Sequence, residues 1–288
     1  MSTPFAARAR DYLELVKFSH TIFALPFALA SMFVAANGFP HWQIVAWIFM
    51  AMISARTAAM GFNRIVDRKI DAQNPRTQNR EIPAGKISVG QASALVFGSS
   101  AIFVFAAAML NSLALWLSIP TLLVLFFYSF CKRFTSLAHL VLGFCLGIAP
   151  IGAWVATNEK IEWQPIVLGA AVMLWVAGFD AIYATLDDEF DKSAGIHSLV
   201  QKFGINGALM LAKCFHVGFI ALLVYFGVLV GFGKLYFGAI GLIGAFLIYE
   251  HAIVKADDLR RVNAAFFTVN GIISAFFLVI VALEVFRV

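Results

Sequence analysis

The 288 residues are 61% hydrophobic and only 13% charged, with a mean hydropathy of +0.87, whereas soluble domains carry about a quarter charged residues. That excludes a soluble globular protein and predicts a polytopic membrane protein, whose net charge of +5 reflects orientation in the bilayer and leaves no nucleic-acid footprint. Cys131, Cys145 and Cys214 are scattered in or beside apolar runs with no metal spacing; they read as small buried residues and imply no disulfide framework.

Runs of about 20 apolar residues suffice to cross a hydrocarbon core of about 30 Å. Nine follow in chain order, at 20–37, 43–62, 92–110, 113–130, 137–156, 163–183, 208–231, 235–254 and 264–286. The first follows Arg8, Arg10 and Lys17, but its length and the lack of a small-x-small cleavage site predict a retained helix. With the N-terminus in the cytoplasm, every Lys and Arg among the 21 except Arg56, Lys160, Lys234 and Arg287 falls on the cytoplasmic side. This asymmetry predicts nine helices with the C-terminus outside. One transmembrane domain then spans 1–288, with no separate soluble domain.

Outer connections are short. Two inner ones, about 63–91 and 184–207, are long and charged: NRIVDRKIDAQNPRTQNREIPAGK follows the second run, and DDEFDKSAGIHSLVQKFG follows the sixth. Four helices separate them, an even number, so both are expected on one membrane face. They echo each other. Asp67 and Asp71 are four apart, as are Asp187 and Asp191, and a Gly-x-x-Ser follows each pair as Gly85 to Ser88 and Gly195 to Ser198. The echo suggests two pseudo-repeated helical halves facing one another.

Asn63, Asp67 and Asp71 recur at i, i+4 and i+8, one stripe of a helix. Asp180, Tyr183, Asp187 and Asp191 recur at i, i+3, i+7 and i+11, with Asp188 and Glu189 off that face. Oxygen donors without interleaved His or Cys suit Mg²⁺, which uses one or two carboxylates plus substrate phosphate. The bland alternative is a solvated surface paired with Arg64, Arg68 and Lys69, which lie off the stripe and read as anchors. The depth expected of Asp180 weighs against it, because a carboxylate inside a membrane is costly unless partnered.

Arg76, Arg80 and Lys86 follow the first stripe, and Tyr128 and Lys132 stand i, i+4 at the end of the fourth helix. Each cation alone reads as an orientation anchor; beside the acids they suit a diphosphate. Arg56, seven residues before Asn63, shares the stripe's face about 10 Å deeper. Its partner is either Asp180 or a substrate carboxylate. Asp257 and Asp258 beside Arg260 and Arg261 read as an exposed ion-paired loop. Asn263 and Asn270 are either interhelical hydrogen-bonding residues or cavity lining, and the six His show no metal pattern.

Over essentially its whole length the chain resembles the UbiA superfamily of intramembrane aromatic prenyltransferases. The motif NxxxDxxxD is matched by Asn63, Asp67 and Asp71, and DxxYAxxDxxxD by Asp180, Tyr183, Ala184, Asp187 and Asp191; NPRTQNREIPAGKIS and Tyr128-x-x-x-Lys132 are similar to further signatures. The stretch before the first helix, Leu15 to His20, departs from the family's pattern, so the roles of Lys17 and His20 stay open. Within the superfamily the chain is most similar to 4-hydroxybenzoate polyprenyltransferases of ubiquinone biosynthesis and to relatives that prenylate a naphthoate for menaquinone.

The resemblance implies nine helices around a central cavity open sideways to lipid, in a bacterial-type inner membrane. It implies two Mg²⁺ ions held by Asn63, Asp67, Asp71, Asp187 and Asp191, with Asp180 also in the catalytic set. The donor is a polyprenyl diphosphate, whose C–O bond ionises to an allylic cation that an aromatic acceptor attacks. Arg76, Arg80, Lys86, Tyr128, Lys132 and Tyr183 would contact substrate, and Arg56 the carboxylate of a hydroxybenzoate. The reading from another class is an ion or metabolite transporter. Acids clustered at one face, with the other face nearly bare, favour the enzyme.

Overall fold

A computed structural model describes residues 11–16 and 23–287; Arg8, Arg10, Lys17 and His20 lie outside the described residues. The architecture is all-α, with no strand among the described residues. The principal helices are α1 (Leu25–Ala36), α2 (Trp42–Gln73), α3 (Val89–Leu110), α4 (Ser112–Cys131), α5 (Ala138–Asn158), α6 (Trp163–Ala184), α7 (Leu199–Val230), α8 (Lys234–Ile253) and α9 (Asn270–Val285). Eight of the described helical segments are long and apolar enough to cross a membrane, whereas α1, at 12 residues, is shorter. The chain is an integral membrane protein: Phe97 and Trp116 are 80% and 77% exposed, which suits lipid contact.

Two expected boundaries move. Helix α2 runs on to Gln73, so the first stripe lies on a continuous helix, and a short helical lead-in from Leu199 precedes the apolar run expected to form α7, broken from it at Gly204, whose φ of +68° and ψ of 171° are not helical. Hydropathy alone ends a helix where charges begin. Backbone hydrogen bonding continues past them because the charged side chains reach water or partners.

The described residues form two compact units. One contains 11–16 and Val45–Phe130, hence most of α2, α3 and α4; the other contains 23–44 and Cys131 to Arg287, hence α1 and α5 to α9. In the first, Leu15, Ile87 and Ala92 form a small core beneath the α2–α3 connection, with Ile65 and Ile82 packed against it. In the second, Trp175 is surrounded by Phe23, Phe27, Phe179 and Phe219. There α5 and α6 approach closely: a Cβ at Gly143 or Gly147 would overlap the carbonyl of Met173 or Gly169, small residues being what lets membrane helices meet backbone to backbone.

The sequence echo is a structural repeat. Gly85 has φ +71° and Gly195 φ +64°, the left-handed backbone that glycine adopts without strain. The amide after each reaches back five residues, Lys86 N–H to Glu81 O and Ile196 N–H to Asp191 O, both at 2.9 Å, as in a glycine-terminated helix. Three residues after each glycine a serine caps the next helix: Ser88 Oγ accepts from Gln91 N–H and Ser198 Oγ from Gln201 N–H, both at 3.1 Å. The repeat thus extends to Ser-x-x-Gln.

The free cysteines divide by environment: Cys131 is buried, Cys145 half-buried, and Cys214 exposed on α7, contrary to the expectation for the last.

Candidate active site

In the first unit the 3.6-residue period of α2 places Asn63, Asp67 and Asp71 on one stripe. Asn63 Nδ2 donates to Asp67 Oδ2 at 3.0 Å. Asp67 and Asp71 are only 2% and 3% exposed. Arg80 Nη1 reaches Asp71 Oδ1 at 2.7 Å, and Thr77 Oγ1 donates to the Asp71 carbonyl at 3.1 Å. The chain between them is a compact turn: the Arg76 amide donates to Asn74 Oδ1 at 2.8 Å, while Asn74, Thr77 and Glu81 are buried. Arg76 and Lys86 project as exposed cations. Arg56 lies half-buried on α2, one stretch of unbroken helix from Asn63.

Arg64 departs from expectation. Instead of anchoring the helix in water it is 4% exposed, and its Nε donates to the Leu15 carbonyl at 3.3 Å. The helical period assigns Arg64 to a different face from the stripe, but that face also lies inside the folded unit. Buried Glu81 and the α2 carboxylates provide the opposite charge near it.

In the second unit Asp180 emerges near the end of α6 with Oδ2 2.7 Å from Nδ1 of His139 on α5. As an ionised carboxylate Asp180 would accept here, with the hydrogen on Nδ1. Tyr183 stacks on Phe266 with ring centroids 4.3 Å apart. Beyond Ala184 the helix tightens into a 3₁₀ turn at Thr185–Asp187 and resumes at Asp188–Ser193. Three residues sweep about 360° in the tight turn instead of about 300°, so Asp187 and Asp191 are turned from the face that a uniform helix would assign them. Both are half-buried. Asp188, off that face as expected, accepts from Gln201 Nε2 at 2.8 Å through both its carbonyl and Oδ1, which ties the second connection to α7.

Tyr128 lies on α4, whereas Lys132 falls just past the helix end at Cys131. The Lys132 carbonyl accepts from the His197 amide at 2.8 Å, holding the α4–α5 turn against the second connection. Asp258 and Arg260 form the exposed pair expected of them, through two contacts of 2.8 Å. The guanidinium holds the Asp258 carboxyl well below the usual carboxylate range.

The donor set suits a hard cation. It is oxygen-only on α2, and Asp71 Oδ2 is buried without a hydrogen-bond partner among the described residues. No three His, Cys, Asp or Glu among the described residues converge into a cage of their own.

Residues 24–279 match the UbiA prenyltransferase family. The chain belongs to that family. Among curated UbiA relatives, the 4-hydroxybenzoate octaprenyltransferase of Thiobacillus denitrificans is 31% identical over 239 residues, covering 83% of this chain and 81% of the relative. That of Vibrio vulnificus is 26% identical over 268 residues, covering 91% and 93%. Among solved structures, a UbiA homolog from Aeropyrum pernix K1 is 33% identical with a TM-score of 0.81, covering 90% of this chain and 97% of that one. A UbiA homolog from Archaeoglobus fulgidus bound to GPP and Mg²⁺ is 22% identical with a TM-score of 0.75, covering 96% and 99%, and shows the shared fold. Membership makes the chain a prenyltransferase.

Sequence reasoning overlooked His139, Glu81 and Glu250. Glu250 carried a usable signal, because a lone carboxylate within the apolar run 235–254 calls for an interior partner. It has one: Asn270 Nδ2 donates to its Oε1 at 2.9 Å, so Asn270 is an interhelical bonding residue while Asn263 is exposed. His139 and Glu81 carried no such signal, since nothing in local spacing marks a partner 41 residues away or the inner side of a turn.

Proposed function

We propose that this UbiA enzyme transfers a polyprenyl group from polyprenyl diphosphate to an aromatic acceptor, 4-hydroxybenzoate, in a Mg²⁺-dependent reaction. The observation that carries the reading is the Asn63–Asp67–Asp71 stripe, its two carboxylates buried, with Arg80 on Asp71, an oxygen-donor set joined to a cation suited to phosphate. The names of the curated relatives support the acceptor, and the GPP- and Mg²⁺-bound neighbour supports donor and metal. Four spanning helices separate the two motifs, which favours one membrane face for both, and the Lys and Arg distribution favours the cytoplasmic one.

Asn63, Asp67 and Asp71, with Asp187 and Asp191, would hold two Mg²⁺ ions. Bound metal would supply Lewis-acid stabilisation of charge on the departing diphosphate. Arg80, Arg76, Lys86 and Lys132 bind and orient the diphosphate, while Tyr128 and Tyr183 present ring faces and hydroxyls at the substrate. Arg56 grips the acceptor carboxylate in a bidentate fashion and sets which ring carbon meets the allylic cation. Asp180, its Oδ2 held by His139, takes the ring proton on Oδ1 as aromaticity returns.

The test is transfer of a radiolabelled prenyl group by purified protein in lipid nanodiscs, with 4-hydroxybenzoate or a hydroxynaphthoate as acceptor, with Mg²⁺ or with chelator. Transfer to the benzoate that requires Mg²⁺ and disappears in Asp67→Ala is expected. Equal product from Asp67→Ala, preference for the naphthoate, or substrate flux into liposomes without transfer would each overturn a stated part of the reading.

A further inference from the structure

A chain of buried polar groups crosses the second unit next to Tyr183. Trp175 Nε1 on α6 donates to Asn270 Oδ1 at 2.7 Å. Asn270 Nδ2 donates to Glu250 Oε1 on α8 at 2.9 Å and to the Ala265 carbonyl at 3.1 Å. All three side-chain owners, Trp175, Asn270 and Glu250, are 0% exposed. His216 on α7 extends the chain. Its Nε2 lies 3.3 Å from the Trp175 carbonyl and must carry the hydrogen, leaving Nδ1 to accept from His251 Nε2 at 3.0 Å. Gly178 makes room for this ring, since a Cβ there would overlap His216. Polar groups inside an apolar bundle are costly unless paired, so the pairing holds α6, α7, α8 and α9 at one point.

The carbonyl that Asn270 binds opens a π-helical turn, Ala265–Val269, directly before α9. Such turns insert an extra residue and recur at functional sites. The insertion changes the face on which the preceding side chains stand. Phe266, inside the turn, lies on the Tyr183 ring at 4.3 Å and meets Phe179 edge-on at 5.1 Å. Tyr183 belongs to the second motif and precedes Asp187 by four residues. A run of contacts therefore leads from Glu250 through Asn270 and the π turn to Phe266 and the Tyr183 ring.

We infer that Asn270, braced by Glu250 and Trp175, is a positioning residue for prenyl transfer: it holds the π turn that seats Phe266 against Tyr183 and so fixes the motif end of α6. The inference rests on the proposal that Tyr183 and Asp187 serve the reaction. Asn270 itself touches neither substrate nor the reacting atoms. Loosening its hold moves a ring and a carboxylate that must be placed to within a fraction of an ångström, and misplacement of about 1 Å can cost on the order of a hundredfold in rate.

Steady-state transfer, with donor and acceptor varied separately, and thermal unfolding are measured for Asn270→Leu, Phe266→Leu, their double mutant, Glu250→Leu, Glu250→Gln and Asp187→Ala. Asn270→Leu and Phe266→Leu are expected to lower kcat about tenfold or more, with the acceptor KM unchanged. Their double mutant should fall no further than the worse single, since both act through one contact. Glu250→Leu should behave like Asn270→Leu, whereas Glu250→Gln, which keeps an acceptor for Asn270, restores turnover. Phe266→Leu leaves the polar chain intact and supplies the test should Asn270→Leu fail to fold. Wild-type kcat in Phe266→Leu, or losses that multiply in the double mutant, overturns the inference. If Asp187→Ala is inactive while Phe266→Leu is normal, the inference alone falls; if Asp187→Ala is fully active, the motif reading falls and takes the inference with it.

Discussion

Arg80 Nη1 lies 2.7 Å from Asp71 Oδ1, nine residues back along the chain, with the Asp71 side chain 5% exposed and that of Arg80 24% exposed. One guanidinium thus neutralises part of the acidic stripe and still reaches solvent, where the proposed diphosphate would meet it. A bidentate cation already oriented by a carboxylate loses little freedom on binding phosphate. Arg80→Gln is therefore expected to raise the KM of the polyprenyl diphosphate about tenfold or more while the acceptor KM stays put. Initial rates with each substrate varied in turn check this, and equal effects on both would count against the assignment.

His139 and Asp180 make a separate prediction, since the 2.7 Å bond is the one that orients the carboxylate. His139→Leu removes the donor and should lower kcat about a hundredfold, the size of a general acid–base contribution. Asn places an amide N–H about where Nδ1 stands, so His139→Asn should retain far more activity. Equal losses in the two variants would show that the imidazole matters for something other than this hydrogen bond. Single-turnover rates separate the effect from binding.

Arg56 stands half-buried about 10 Å along α2 from Asn63, at 1.5 Å per residue over seven residues. Recognition of a carboxylate by its fork predicts that Arg56→Ala raises the acceptor KM by on the order of a hundredfold, with the donor KM little changed. Arg56→Lys should recover only part, because a point charge lacks the planar geometry. A phenolic acceptor without a carboxylate supplies the control: Arg56→Ala should leave its poor turnover unaltered.

The repeated turn predicts stability effects that are alike in both connections. Gly85→Ala and Gly195→Ala force a side chain into left-handed backbone, at φ +71° and +64°, costing about 1–2 kcal/mol. Ser88→Ala and Ser198→Ala remove the caps on α3 and α7 at about 1 kcal/mol each. Unfolding in mild detergent, followed by circular dichroism, measures all four. A loss confined to one connection would mean that the shared geometry contributes to stability in only one of them.

Much of this protein was legible in its sequence, for a local reason. A helix repeats every 3.6 residues, so spacing alone puts Asn63, Asp67 and Asp71 on one stripe, and Asn63 does bond Asp67 at 3.0 Å. The length of apolar runs announces the spanning helices, and Gly-x-x-Ser marks a left-handed glycine turn followed by a capped helix. Periodicity says which residues share a face. It does not say which faces end up inside, so Arg64 reads as an anchor yet is buried against Leu15, 49 residues away. Nor does it anticipate a 3₁₀ turn at Thr185–Asp187 or a π turn at Ala265–Val269, where packing overrides the uniform helix. The partners that orient the site are similarly remote: His139 for Asp180 across 41 residues and Trp175 for Asn270 across 95. Such pairs form because buried polar groups in an apolar bundle must find each other, and only the folded chain decides which ones meet.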